Sequence, residues 1–281
     1  MSTIRNFAII TLFILFATVG CRKGQPTEGT SSEPPAQISS SLEDVRSPKK
    51  GLRVLFVGNS FTFFHNMPGT VARLAQAANE ELPLMAIQEA PGGRTLQQHW
   101  EDGAVTKLID SAKWDWVVLQ EQSQLPASSP AVVASAFHPF VLQLHEKIKE
   151  NGAKTMLFLT WGYKNGDPFG AANDSFAKMQ SRLTRSYRES AKSISAEIAP
   201  VGLAWEEAIK RNPNFELWDG DGRHPNVKGV YLTACVFYGQ LYGKSPVGNS
   251  HIATLDAADA AFLQEVAAFT LERWRKDQAQ K

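Results

Sequence analysis

A serine hydroxyl attacks a carbonyl only when a base takes its proton, and the base works best when a third group orients it. Of the six histidines in this 281-residue chain, one stands where such a base would be expected. His224 lies in Leu217-Trp218-Asp219-Gly220-Asp221-Gly222-Arg223-His224-Pro225-Asn226, a glycine-rich loop directly before a helical stretch. Asp221 and His224 are three apart, so a tight loop can bring the carboxylate to one imidazole nitrogen and leave the other facing outward. Asp, Gly and Asn equally favour plain turns and helix caps, so the pair needs a serine elsewhere before it means chemistry. His65, His99, His138, His145 and His251 are expected to serve packing or the surface.

The serine to test is Ser60. It closes the tripeptide Gly58-Asn59-Ser60, which ends an apolar run, Leu52 to Val57, and precedes a helical pattern. The same tripeptide recurs at Gly248 to Ser250, so its letters alone decide nothing. Context does. The run before Ser60 is continuous and apolar except for Arg53, as expected of a strand covered on both faces. The second copy has no strand behind it and reads as a turn.

The elements that must position these residues alternate along the chain. Strands are expected at 52–57, 84–88, 116–120, 155–160 and 197–201. Helices are expected at 67–79, 104–112, 130–150, 174–196, 227–241 and 256–275, the long one at 130–150 carrying Val133, Phe137, Val141, Leu144 and Ile148 at helical spacing. Strand and helix repeated in this order predict a parallel sheet with helices on both faces, a three-layer α/β/α sandwich in one domain over residues 51–281. Ligands of open parallel sheets bind beyond the carboxyl ends of the strands, which is where Ser60 falls.

Before residue 51 the composition changes. Arg5 precedes an apolar run from Phe7 to Val19, and Thr18-Val19-Gly20-Cys21 follows. A charged start, a short apolar stretch and small residues leading into a cysteine predict a lipoprotein signal peptide over residues 1–20. Cys21 would then be the lipidated residue, and the expected location is the bacterial cell envelope, anchored by lipid and facing the periplasm or the outside. Arg22, rather than aspartate, gives no inner-membrane retention signal. Residues 21–50, rich in Ser, Pro, Thr, Glu and Lys, read as a flexible tether. Cys235 lies in an apolar helical pattern, so no disulfide framework is expected.

Taken together, these blocks resemble the SGNH (GDSL-like) hydrolase superfamily. Gly58-Asn59-Ser60-Phe61-Thr62 matches the block that carries its nucleophile, and Asp221-Gly222-Arg223-His224-Pro225 matches its Asp-x-x-His block before the final helices. The resemblance covers about residues 52 to 245. It implies a flavodoxin-like sandwich with a sheet of about five strands, and a catalytic set of Ser60, Asp221 and His224. It implies an oxyanion hole from the backbone N–H of Ser60 and of Gly93, in Ala90-Pro91-Gly92-Gly93-Arg94-Thr95, with Gly92 the alternative. The family's Gly-x-Asn-Asp block is replaced here by Leu119-Gln120-Glu121-Gln122-Ser123. A glutamine amide carries the same donor as asparagine on a longer arm, so Gln122 or Gln120 would take that place. The chain looks like a little-characterised bacterial branch of the superfamily.

The expected activity is hydrolysis of a small acyl ester, acetyl on a carbohydrate, with Trp161 and Tyr163 after the fourth strand as rings for sugar stacking. The alternatives are a lipolytic esterase and an inactive glycan-binding lipoprotein. Net charge is +1, with no basic stripe, which argues against nucleic acid as a partner. The loop at Ser60 lacks the glycine density and lysine of a phosphate cradle, and the sequence has no Gly-x-Ser-x-Gly. No cofactor or metal is expected, since Asp219 and Asp221 on one loop are too few ligands for calcium. The partners expected are an ester of a small molecule or polysaccharide and, through Cys21, a membrane.

Overall fold

The computed structural model describes residues 40–47, 50–170 and 173–280. The strands β1 (Leu52–Val57), β2 (Leu84–Glu89), β3 (Trp116–Leu119), β4 (Lys154–Phe158) and β5 (Glu197–Ala199) form one sheet in the order β2-β1-β3-β4-β5. Every pairing is parallel, with Val54 opposite Ala86 on one side and Trp116 on the other. The chain leaves β1 for β2 on one side and returns for β3 on the other, so the switch point lies between β1 and β3. That crevice is where an open α/β sheet takes its ligand, and Ser60 and Gln120 sit at its two lips.

The helices are α1 (Leu42–Arg46), α2 (Ser60–Phe63), α3 (Met67–Ala77), α4 (Leu96–Asp102), α5 (Ala104–Ser111), α6 (Pro130–Ala136), α7 (His138–Asn151), α8 (Phe176–Ile194), α9 (Val201–Arg211), α10 (Val227–Tyr242) and α11 (Ala257–Ala279). They sort into two packed groups: α3 and α9 to α11 in one, and α4 to α8 in the other. Helix α10 is buried continuously from Gly229 to Gly239, because it lies between the sheet and α11 and has no solvent stripe. Phe237 on α10 meets Phe56 of β1 and Phe158 of β4 edge to face, at 5.4 and 4.9 Å, which ties that layer to the sheet centre.

The helix expected over 130–150 is two. Phe137 is stretched (φ −114°, ψ −63°) at the junction of α6 and α7. Pro139, in the first turn of α7, has no N–H to continue the ladder. The fifth strand stops at Ala199, and from Val201 the chain is already α9, with Pro200 at the boundary. Helix α4, unmarked in the sequence reading, starts at a capping box in which Thr95 and Gln98 satisfy each other's backbone N–H.

The end of the expected tether is also ordered. Ser41 caps α1, Val45 is buried, and the Arg53 guanidinium donates to Val45 O and Ser47 O at 2.7 and 2.9 Å. Ser40 N–H donates to Ala86 O on the open side of β2 at 3.1 Å. The expected signal peptide, Cys21 and the rest of the tether lie outside the described residues. Among the described residues no helix is long and apolar enough to cross a membrane.

Candidate active site

Strand β1 ends at Val57, and each residue of Gly58-Asn59-Ser60 then meets a different demand. A Cβ on Gly58 would lie 2.4 Å from both Gln120 Oε1 and Thr62 Oγ1, so only glycine lets the strand end pass the Gln120 amide. Asn59 caps α2: its Oδ1 accepts from Phe61 N–H, while its Nδ2 donates to Arg94 O at 2.8 Å. Ser60 is the first residue of α2. Its N–H therefore has no intrahelical acceptor, and the helix N-terminus favours negative charge beside it.

His224 arrives from the loop before α10. Asp221 Oδ1 accepts the N–H groups of Arg223 and His224, both at 2.9 Å, and closes the loop around its own carboxylate. Asp221 Oδ2 lies 2.5 Å from His224 Nδ1, and His224 Nε2 lies 2.9 Å from Ser60 Oγ. Burial works to raise the Asp221 pKa, but the two N–H groups and the imidazole outweigh it and hold the carboxyl at about 2. An ionised Asp221 against Nδ1 makes that nitrogen the donor and leaves Nε2 to accept from the serine hydroxyl. The loop is anchored from outside by Trp161 Nε1 donating to Arg223 O at 3.0 Å and by Lys164 N–H donating to Gly222 O at 2.9 Å.

Behind the turn lies a buried polar frame. Gln120 Oε1 accepts from Asn59 N–H and Thr62 Oγ1, and its Nε2 donates to Asn59 Oδ1 and to Glu121 O. Glu121, fully buried, accepts from Gln122 N–H at 2.6 Å and from Leu96 N–H, the first of α4, at 3.1 Å. Burial pushes its carboxyl up to about 8 against the pull of those two N–H groups, which favours the protonated form at neutral pH. His99, on α4, donates from Nε2 to Gly58 O at 2.7 Å. Burial lowers its pKa, which favours the neutral ring. Strand β3 thus clamps both the serine turn and the loop carrying Gly93.

No family model matches the sequence, and no curated protein matches it. Solved structures do. A protein from Slackia heliotrinireducens described as an SGNH hydrolase is 30% identical, with 67% of this chain and 98% of that one aligned at a TM-score of 0.56. This chain belongs to the SGNH hydrolases. With that membership it falls among the carboxylic ester hydrolases. A DUF4886 family protein from Bacteroides uniformis shares the fold at 20% identity and a TM-score of 0.65, over 79% of this chain and 95% of that one. A variant of Axe2, an acetyl xylan esterase from Geobacillus stearothermophilus, does so at 18% identity and 0.51, over 73% and 98%.

One SGNH-derived expectation changes. Gln120 is not a spare oxyanion donor, because both of its amide hydrogens are spent on Asn59 and Glu121. Gln122 turns its Oε1 to the N–H groups of Gln124 and Leu125, at 2.9 and 3.1 Å, and its Nε2 is the end with donor capacity left. Gly93 lies exposed in a turn closed by Arg94 N–H on Pro91 O, with φ +71°. Gly92 precedes it in that turn.

The rings expected to stack on sugar are core. Trp161 is sandwiched between Phe61 at 4.4 Å and Trp205 at 4.3 Å and has no exposed face. Tyr163 is 5% exposed, with its hydroxyl 2.6 Å from Ser123 Oγ and the Arg223 guanidinium over its ring. The second Gly-Asn-Ser is a turn, as expected: Asn249 Nδ2 donates to Leu74 O, and Gly248 has φ +80°. A cleft of about 1020 Å³, lined among others by Arg188, Glu197, Gln240 and Trp274, touches neither Ser60, Asp221 nor His224. It lies at the start of β5, the opposite end of the sheet from Ser60. Among the described residues no group of His, Cys, Asp and Glu is placed to hold a metal ion.

The sequence reading missed Phe64 altogether. Its ring lies flat on His224 at 4.3 Å and 8°, and Phe61 meets the same imidazole edge-on at 5.8 Å. It also gave His99 and Glu121 no part. Nothing in their spacing marks them, because each works through a partner from a different strand or loop.

Proposed function

We propose that this protein is a serine esterase that removes a small acyl group, acetyl, from a carbohydrate. The observation that carries the reading is the unbroken chain from Ser60 Oγ through His224 to an ionised Asp221, at the carboxyl end of a parallel sheet. His224 takes the Ser60 proton as Oγ attacks the ester carbonyl, and Asp221 stabilises the imidazolium that forms. The tetrahedral oxyanion is received by the N–H groups of Ser60 and Gly93, joined by the Gln122 amide. The loss of one such donor typically costs about 10² to 10³ in turnover. His224 then protonates the leaving alcohol, and water, deprotonated by the same imidazole, releases the acid.

Acetyl on a carbohydrate is favoured by likeness to an acetyl xylan esterase in fold, and by a site open to solvent, since Ser60 and His224 are both partly exposed. The expected lipidation of Cys21 belongs with this reading, since an envelope lipoprotein meets polysaccharide. Radiolabelled palmitate should enter the protein and be lost in Cys21→Ala. The deciding assay is acetate release from acetylated xylan fragments by the wild type and by Ser60→Ala. Release that vanishes in the variant supports the reading. Turnover of long-chain lipid esters without acetate release would replace it with a lipolytic esterase. A serine-directed phosphonate that leaves Ser60 unlabelled would replace it with a glycan-binding protein.

A further inference from the structure

With Trp161 and Tyr163 buried, the site needs another surface to meet the alcohol half of its ester, and one stands next to the base. The rings of His224, Phe64 and Phe63 form a ladder: His224 to Phe64 at 4.3 Å and 8°, Phe64 to Phe63 at 5.4 Å and 28°. Phe61, on the inner side, is buried against Trp161. Phe63, on the outer side, is 37% exposed and Phe64 is half-buried. The ladder therefore runs from the imidazole to solvent.

Its backbone is held at a cost. His65 (φ 45°, ψ 31°) and Asn66 (φ 53°, ψ 54°) are consecutive non-glycine residues in the left-handed region, which disfavours a side chain and persists only where surroundings enforce it. They do here. Asn66 Oδ1 accepts Gly69 N–H at 3.3 Å to cap α3, and Thr70 Oγ1 donates to Asn66 O at 3.3 Å. A Cβ on Gly69 would lie 2.3 Å from the Asn66 amide, so glycine is needed for that cap. The double left-handed turn reverses the chain after α2 and leaves two adjacent phenylalanines at the rim instead of in the core.

We propose that Phe63 and Phe64 are the alcohol-side subsite, with Phe63 the ring on which the sugar bearing the acyl group stacks. This deepens the esterase reading and rests on it. The leaving oxygen must come to His224 Nε2 for protonation, in the plane of the imidazole, and the Phe64–Phe63 ladder is the aromatic surface that continues from that ring to solvent. Phe64 and Phe63 carry no charge, which suits the apolar C–H face of a neutral pyranose. Phe64 also fixes the plane of the imidazole, so Phe63 is the ring to vary.

The test compares two acetate esters in wild type, Phe63→Ala and Phe63→Trp: acetylated xylotriose, and ethyl acetate, whose alcohol has no ring. In Phe63→Ala the ratio of kcat/KM for the sugar ester to that for ethyl acetate should fall by about tenfold, as expected for loss of one aromatic stacking contact. The loss should sit in KM, and Phe63→Trp should restore the ratio. A ratio unchanged within twofold, or both esters weakened alike, overturns the subsite. If the wild type cleaves neither ester, the esterase reading has failed separately. Titration calorimetry with unacetylated xylotriose then decides for the ladder: a Kd about ten times higher in Phe63→Ala supports it, and an equal Kd or no heat in the wild type overturns it.

Discussion

His138 and His224 each hydrogen-bond a serine and each have a carboxylate within 4 Å, yet they sit in different physical settings. His138 Nδ1 lies 2.5 Å from Ser190 Oγ, and its Nε2 lies 3.8 Å from Glu189. Ser190 is buried on α8, a helix of 19 residues, so its N–H belongs to the helical ladder and its hydroxyl faces α7. Ser60 opens a helix of 4 residues at a strand end, with its N–H free of that ladder. Glu189 is mostly exposed, whereas Asp221 is fixed by two backbone N–H groups before it meets the imidazole. What separates a reactive group from a packing contact is therefore the backbone: where the serine's own N–H points, and whether the acid is held before the base arrives.

The largest test of this contrast is removal of each serine. Ser60→Ala should lower the rate of p-nitrophenyl acetate hydrolysis by about 10⁴-fold or more, while Ser190→Ala should stay within twofold of the wild type. A collapse in the second variant would break the comparison. The acids come next. Asp221→Asn keeps the shape but favours the wrong imidazole tautomer and should cost about 10³ to 10⁴ in kcat, whereas Glu189→Gln should leave kcat unchanged.

A smaller effect is expected at the frame behind the turn. Gln120→Ala leaves the buried Asn59 N–H and Thr62 hydroxyl without their acceptor. Each such orphan costs about 1 to 3 kcal/mol, so a clear fall in Tm should accompany a loss in kcat. An unchanged Tm would show that the turn holds itself.

The smallest effect contrasts two carboxyls. Asp221, at about 2, adds stability above the ordinary aspartate pKa, and that stability is lost as pH falls toward 2. Glu121, at about 8, behaves oppositely. Between its ordinary pKa and 8 the folded chain keeps a proton that the unfolded chain gives up, so stability falls as pH rises through that window. The Tm of Glu121→Gln relative to wild type should therefore rise by a few degrees from pH 5 to pH 8. A pH-independent difference would mean that Glu121 is ionised in the fold.

How far the sequence reveals this site depends on whether a function is local. Gly58-Asn59-Ser60 and Asp221-x-x-His224 are local: each is a turn whose residues answer to neighbours a few positions away, and each stands where the alternation of elements places it. The β-strands are legible for the same reason, Leu52–Val57 to the residue. Which of two glutamines stands for the missing asparagine was not legible. A glutamine after β3 looks like a spare donor until the Asn59 side chain, 61 positions away, takes its amide. Trp161 failed likewise, since a ring at a strand end faces the ligand or the core according to what stacks on it, and Phe61 and Trp205 do. Phe64 escaped notice because two left-handed residues, neither glycine, redirect the chain after it.

Helix α1 has a practical consequence for anyone cutting the chain. Strand β2 is at the rim of the sheet, and Ser40 N–H already occupies one of its outward carbonyls, at Ala86. A soluble version begun at residue 47 would uncover that rim, and a bare rim strand is a template for pairing with another copy. It would also take away the Val45 carbonyl that receives the Arg53 side chain. Shortening should stop before Ser40. A chain begun there should stay monodisperse on storage, and one begun at residue 47 should self-associate.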